Sequence, residues 1–220
     1  MSATQRIGIL GGMYNPVHDG HLRAAIEARE LLALDAVRLV PCAEPPHRTA
    51  PGVNAALRAE MVAAAVAGMD GLELDARELR LPPPSYTLRT LQSLRAELPD
   101  AVFVLLLGED AFSGLHRWHE WRQITSYAHI AVMRRPGSGD IRWNHELQDW
   151  LQKAELAAGS LACCNEQAGR IAFCDITALD ISSTRVRELI AADRNPRFLL
   201  PDAVLDIIER EQLYRTERMN

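Results

Sequence analysis

Residues 101–108, AVFVLLLG, are apolar at every position up to the closing glycine. A strand with one wet face alternates apolar and polar side chains, so an unbroken run of this length predicts a strand covered on both faces. The rest of the chain repeats the theme. Residues 6–10 are a β-type run ending at Gly11-Gly12, and from about Gly20 the spacing of Leu22, Ala25 and Ile26 turns helical. "AVRLVP" (36–41) and "LELDA" (72–76) predict further strands. Between and after them, "NAALRAEMVAAAVAG" (54–68) and "YTLRTLQSLRAEL" (86–98) predict helices, the first with Asn54 as N-cap and Gly68 as stop.

A helical stretch holding Trp118 and Trp121 precedes the strand "HIAVMRR" (129–135). Residues 143–157 read as a modest helix, 159–170 show little pattern, and "IAFCDI" (171–176) restores a strand. "SSTRVRELIAA" (182–192) and "PDAVLDIIEREQLY" (201–214) predict the last helices, with Pro201 near the start of the second. No repeat or low-complexity linker interrupts this order. The alternation implies an α/β fold: a Rossmann-like, doubly wound parallel sheet, with residues 1–220 as one domain and 180–220 as a short C-terminal helical part packed on the sheet.

A chain of 220 residues, 48% of them hydrophobic, can bury one substantial core. Its formal charge of −5 argues against a basic nucleic-acid-binding face. No apolar run approaches the roughly 18 residues of a membrane span, and no signal peptide is legible. Cys42, Cys163, Cys164 and Cys174 form no CxxC pair and no metal-ligand spacing, so they read as reduced thiols of a cytoplasmic protein. Lys153 is the one lysine, which leaves arginines to hold any phosphates.

The chemistry concentrates in "GILGGMYNPVHDGHLRAA" (8–25). In doubly wound sheets, ligands bind beyond the carboxyl ends of strands where the strand order reverses. Gly11 and Gly12 let backbone approach a ligand, and the helix that follows offers free N–H groups to an anion. His18 and His21 share one face of its first turn, where both can donate hydrogen bonds to phosphate oxygens. An HxxH pair can also ligate metal, but zinc motifs of the HExxH type space their histidines by four on a formed helix. Near the other end, "ISSTRVR" (181–187) gathers the hydroxyls of Ser182, Ser183 and Thr184 at a helix start and adds the charge of Arg185.

The order strand, then Gly11, Gly12, Met13, Tyr14, Asn15, Pro16, His18, Gly20 and His21, resembles the first signature of the nucleotidyltransferases that share a His-x-Gly-His motif with class I aminoacyl-tRNA synthetases. "ISSTRVR" resembles their second. Met13 stands where Thr is usual and Tyr14 where Phe is, and the Met removes a hydroxyl, leaving a backbone N–H as the phosphate contact there. Three further strings resemble bacterial nicotinate-mononucleotide adenylyltransferases. These are "PPHR" (45–48), "PSYTLRTL" (84–91), with Arg89 in place of an Asp, and "GEDAFSGLHRWHEW" (108–121). The likeness spans roughly 6–135 and 171–214.

This resemblance implies adenylyl transfer from ATP to nicotinate mononucleotide, with Mg²⁺ escorting the triphosphate. It implies His18, His21 and Arg185 as catalytic, and Gly11, Gly12, Met13, Tyr14, Gly108, Asp110, Ser182, Ser183 and Thr184 at ATP. His47, Arg48, Tyr86, Thr87, Trp118 and Arg135 would hold the acceptor, Trp118 by stacking on its pyridine ring, while Trp121 reads as core. No metal ligands are assigned. A phosphate dianion is already a nucleophile, which agrees with the lack of any legible Ser-His-Asp or Cys-His arrangement. The alternatives are a phosphopantetheine adenylyltransferase, a non-catalytic nucleotide-binding module on the same fold, and a zinc protein using His18, His21 and Cys42. Expected partners are the two small-molecule substrates, with neither nucleic acid nor membrane, and monomer and homodimer both stay open.

Overall fold

The computed structural model describes residues 4–45, 52–134, 143, 145–177 and 179–215. Seven parallel strands form one sheet: β1 (Arg6–Gly12), β2 (Ala36–Pro41), β3 (Leu72–Leu74), β4 (Val102–Gly108), β5 (His129–Arg134), β6 (Glu155–Ala157) and β7 (Ile171–Asp175). Their spatial order is β3-β2-β1-β4-β5-β7-β6. The chain therefore winds outward from β1 in one direction, returns to its other side at β4, and winds outward again to β5, with β7 lying between β5 and the edge strand β6. The switch lies between β1 and β4.

Alternation along the central strands builds two cores. Ile7 and Ile9 of β1 join Phe103, Leu105 and Leu107 of β4 on one face. Leu10 joins Val104 and Leu106 on the other. The second face is covered by α1 (Asp19–Leu31), α2 (Ala55–Val66), α6 (Ala158–Ala162), α7 (Ser183–Ala191) and α8 (Asp202–Arg210), which contribute Leu22, Met61, Leu161, Val186 and Ile207. The first carries α3 (Thr87–Glu97), α4 (Glu109–Ser113) and α5 (His145–Ala154), through Leu91, Phe112 and Leu151. Every β4 side chain before Gly108 is buried, as the unbroken apolar run required. Asn54 caps α2 by accepting from the Leu57 N–H at 2.8 Å, and Gly68 beyond it takes a left-handed φ of 75°.

Two expectations need correction. Trp118 and Trp121 do not share a helix: α4 ends at Ser113, Trp118 is extended, and Glu120 turns left-handed at φ 48° before a 3-10 turn over Trp121–Ser126. Residues 143–157 likewise do not form a single helix, because α5 stops at Ala154 and Glu155–Ala157 pair with β7 as an edge strand. Three residues are too few for a period-2 pattern to stand out from the helix before them.

Candidate active site

The cleft begins where the sheet splits. Pairing of β1 with β4 ends at Ile9 and Leu105, whereas pairing with β2 continues to Gly12 and Pro41. Between the diverging ends opens a cleft of about 930 Å³, lined by Gly11, Gly12, Met13, His18, Gly20 and His21 on one side and Gly108 and Asp110 on the other. A Cβ at Gly11 or Gly108 would meet nothing within 4 Å, so backbone is open to the cleft at both strand ends. The Gly12 carbonyl accepts from the Cys42 N–H at 2.8 Å. Peptide planarity then directs the Met13 N–H the opposite way, toward the cleft side.

Tyr14, expected at the nucleotide, is instead part of the core. It is 1% exposed, its hydroxyl donates to the Leu10 carbonyl at 2.6 Å, and its left-handed φ of 45° folds the ring beneath Gly12. A Cβ at Gly12 would lie 3.0 Å from that ring. Such a backbone in a bulky residue persists only where packing holds it.

His18 is the N-cap of α1. Its backbone N–H donates to Nδ1 of His21 at 3.2 Å, and the two rings stack at 3.7 Å with Tyr14 edge-on to His21 at 5.0 Å. Burial pushes the His18 imidazole down to about 4. Burial, and then the charge that His18 would carry, pushes His21 down to about 3. Both rings are therefore neutral near pH 7. Because Nδ1 of His21 accepts, its proton sits on Nε2, and His21 is a neutral donor with a fixed tautomer. Nδ1 of His18 is buried without a partner. A Cβ on Gly20 would come within 3.0 Å of that same atom, so only glycine lets the ring lie there.

The second motif grips the first. Ser182 caps α7 by accepting from the Arg185 N–H at 3.1 Å. Ser183 donates to the Pro16 carbonyl at 2.8 Å, Arg187 donates to the Asn15 carbonyl at 2.7 Å, and Tyr214 donates to Oδ1 of Asn15 at 2.7 Å. Thr184 accepts from Arg187 at 3.2 Å. Arg185 projects outward, with Glu188 at 3.8 Å. Ser182, Ser183, Thr184 and Arg185 thus lie off the cleft wall, which Ile181 lines in their place. Arg187, the last residue of the quoted string, was not among the expected site residues; its position two beyond Arg185 was the available signal.

At the far end, Tyr86, Thr87 and Trp118 all line the cleft. Tyr86 is the N-cap of α3 and stacks on His119 at 4.3 Å. The Arg89 guanidinium lies 5.0 Å from the Tyr86 ring centroid, on the exposed side, so the departure from Asp is accommodated away from the cavity. Trp121 is core, edge-on to Trp150 at 4.9 Å. His47, Arg48 and Arg135 fall outside the described residues. Arg134 lines the cleft and pairs with Asp175 at 3.0 Å.

Glu78, also on the wall, was not foreseen. One of its oxygens accepts from the Thr90 hydroxyl at 2.6 Å, the other is buried without a partner, and burial raises its pKa. Among the described residues, no group of three or more His, Cys, Asp or Glu is arranged to hold a metal ion, and no helix is long and apolar enough to cross a membrane.

A profile described as cytidylyltransferase-like matches residues 9–189. The chain is 47% identical over 215 residues to a protein of Pseudomonas entomophila named "Probable nicotinate-nucleotide adenylyltransferase", covering 97% of this chain and 96% of that one. It is 46% identical over 212 residues to the protein of the same name from Pseudomonas aeruginosa strain PAO1, covering 96% and 98%. Among solved structures, nicotinic acid mononucleotide adenylyltransferase of Plasmodium falciparum, complexed with NaAD, superposes with a TM-score of 0.70 at 16% identity over 96% of this chain and 97% of that one. At that identity the likeness is one of fold.

Proposed function

The chain belongs to the cytidylyltransferase-like family and, within it, to the nicotinate-nucleotide adenylyltransferases; from that premise we propose that it joins ATP to nicotinate mononucleotide, forming nicotinate adenine dinucleotide and pyrophosphate. An oxygen of the acceptor's 5′-phosphate attacks the α-phosphorus of ATP, and the bond from that phosphorus to the bridging oxygen of the β-phosphate breaks. The observation that carries this reading is the stacked, neutral His18–His21 pair at the N-terminus of α1, set into the wall of a cleft whose far end is aromatic.

The protein's part is placement and charge. Nε2 of His21 donates to the phosphate oxygens as negative charge moves onto them, His18 stands beside it, and the Met13 N–H and the start of α1 complete the anion cradle. Arg185, exposed at the start of α7 beside Glu188, reaches the triphosphate by turning its side chain toward the cleft mouth. Ser182, Ser183 and Thr184 hold that loop in place, Gly11 and Gly12 admit the phosphates, and Gly108 and Asp110 flank the adenosine ribose. Trp118 and Tyr86 supply the faces for the pyridine ring, with Thr87, His47, Arg48 and Arg135 toward the acceptor's charged groups. Tyr14 acts from beneath, by shaping Gly12.

The carboxylates on the wall, Glu78, Glu109 and Asp110, do not form a cage of three ligands. That suits Mg²⁺ carried in on the triphosphate, where it supplies further charge neutralisation. Residues 1–220 work as one domain, with 180–220 as its helical flank, on soluble cytoplasmic substrates.

The test is pyrophosphate release from ATP and Mg²⁺ with nicotinate mononucleotide, nicotinamide mononucleotide and phosphopantetheine as parallel acceptors. Release with nicotinate mononucleotide in clear preference is expected. Release with phosphopantetheine alone would keep the chemistry and overturn the acceptor, and ATP binding without release would leave a nucleotide-binding module.

A further inference from the structure

Arg58, on the first turns of α2, is a charged side chain with 0% exposure. Its Nη1 donates to the Met13 carbonyl at 2.7 Å, Nη2 to Ala43 at 3.2 Å and Nε to Val53 at 3.2 Å. These three acceptors belong to separate pieces of chain. Met13 follows β1 in the glycine loop, Ala43 follows β2, and Val53 precedes the N-cap of α2. We propose that Arg58 is a positioning residue, which ties the triphosphate loop to the chain leaving β2, whose Cys42 and Pro45 line the cleft, and to the chain entering α2, and so sets these parts of the cleft wall relative to each other. The proposal rests on reading the cleft as the adenylyl-transfer site.

Burying a guanidinium is costly unless its donors are satisfied. An apolar side chain would fill the same volume with no such cost, but it would not orient three carbonyls. The planar fork of Arg places donors on three separate nitrogens and so reaches carbonyls on three separate pieces of chain; the ammonium of Lys carries its three donors on one nitrogen, which cannot lie within bonding distance of all three at once. The groups whose charge bears on Arg58 are Cys42, Tyr214 and Glu78, and Glu78 and Cys42 line the cleft. The peptides on either side of Met13 are both pinned from the β2 side, one through Gly12 to Cys42 and the other through Met13 to Arg58. With both fixed, the Met13 N–H has one direction left.

A matched control exists in the same molecule. Arg95 also donates to three carbonyls, those of Pro99 at 2.9 Å, Ala101 at 2.6 Å and Tyr127 at 2.9 Å, at the opposite, amino ends of the strands.

The experiment compares Arg58→Lys, Arg58→Met and Arg95→Lys. Melting temperature, kcat and KM for each substrate, and amide hydrogen exchange at residues 12–14 and 42–44 would be measured for each. Arg58→Met retains the packing and loses every donor. Both Arg58 variants should lose roughly ten- to a hundredfold in kcat/KM, as expected of a misplacement of about 1 Å, with KM for ATP and for the acceptor rising together. Exchange should accelerate at both loops. Arg95→Lys should lower the melting temperature while leaving KM and loop exchange unchanged. Unchanged exchange at either loop in Arg58→Met would overturn the proposal, as would equal kinetic losses in Arg95→Lys at equal stability. The exchange result decides the matter even for a protein that releases no pyrophosphate, an outcome that would instead remove the proposed reaction.

Discussion

At the carboxyl ends of the strands Arg58 gathers the carbonyls of Met13, Ala43 and Val53, and at the amino ends Arg95 gathers those of Pro99, Ala101 and Tyr127. The local chemistry is the same, yet the surroundings differ. Around Arg95 the side chain is spent on packing: its guanidinium also covers the Phe103 ring at 4.7 Å, and it does not line the cleft. Around Arg58 the wall retains groups whose needs are unmet, including Nδ1 of His18 and the second oxygen of Glu78, and a tyrosine held in a left-handed backbone. Buried polar atoms without partners are costly, and two of the three found among the described residues line the cleft, the third being Nε of Arg6 at the start of β1, so the pair on the wall marks where a polar ligand completes the structure.

The sharpest way to break this contrast is a pair of histidines, one at each end. His21→Ala should lower kcat by roughly two to four powers of ten while the protein stays folded, because the lost donor acts on charge that develops in the transition state. His129, 0% exposed, has Nε2 at 2.8 Å from the Glu166 carbonyl and accepts the Arg170 N–H at 3.1 Å. His129→Asn should cost about 1–3 kcal/mol of stability and leave turnover intact below its melting transition. Denaturant melts with steady-state pyrophosphate release on both variants would settle it. Near wild-type turnover in His21→Ala would remove that residue from its role.

How much of this was legible depended on whether the information was local. The apolar run of β4 and the glycine-histidine string announce themselves because their spacing is their chemistry. Ser182 was readable as a cap for the same reason. Arg58 was not, since its acceptors are carbonyls, which every residue owns, and two of them lie 45 and 15 positions away. Tyr14 shows the opposite failure: the string around it placed it at the nucleotide, but a φ of 45° turned its ring into the core. The break before Trp121 escaped for a similar reason, because the left-handed Glu120 carries no glycine to signal it.

The two tryptophans sharpen the comparison at a smaller scale. Trp121, 5% exposed against Trp150, is a packing residue, and Trp121→Ala should cost about 3–5 kcal/mol with KM unchanged in the folded fraction. Trp118→Ala should leave the melt within about 1 kcal/mol but raise KM for nicotinate mononucleotide roughly ten- to a hundredfold, the scale of losing one ring stack. A Trp118→Ala enzyme with unchanged acceptor KM would move the pyridine ring elsewhere in the cleft.

The smallest effect concerns acid, and here both ends of the sheet contribute with the same sign. His18 and His21 stay neutral in the folded protein down to about 4 and about 3, and burial lowers His129 as well, whereas an unfolded histidine takes its proton near 6.5. Below that pH the unfolded chain binds more protons than the native one, so stability falls as pH falls, by about 1.4 kcal/mol per unit for each such histidine. Glu78 opposes this: its raised pKa means the native state binds its proton first, which adds stability as pH falls toward the usual carboxylate range. Denaturation midpoints taken from pH 7.5 to 5 should therefore slope less steeply in a His18→Gln/His21→Gln double variant than in the wild type, with His129→Asn giving a smaller flattening. Because the pair lies on the cleft wall and His129 does not, a bound triphosphate analogue should also flatten the slope by favouring the protonated pair, and this ligand effect should vanish in the double variant but survive in His129→Asn. An acid slope that the double variant leaves unchanged would mean that the two rings are not held neutral by burial, and the fixed-tautomer donor at His21 would have to be abandoned with it.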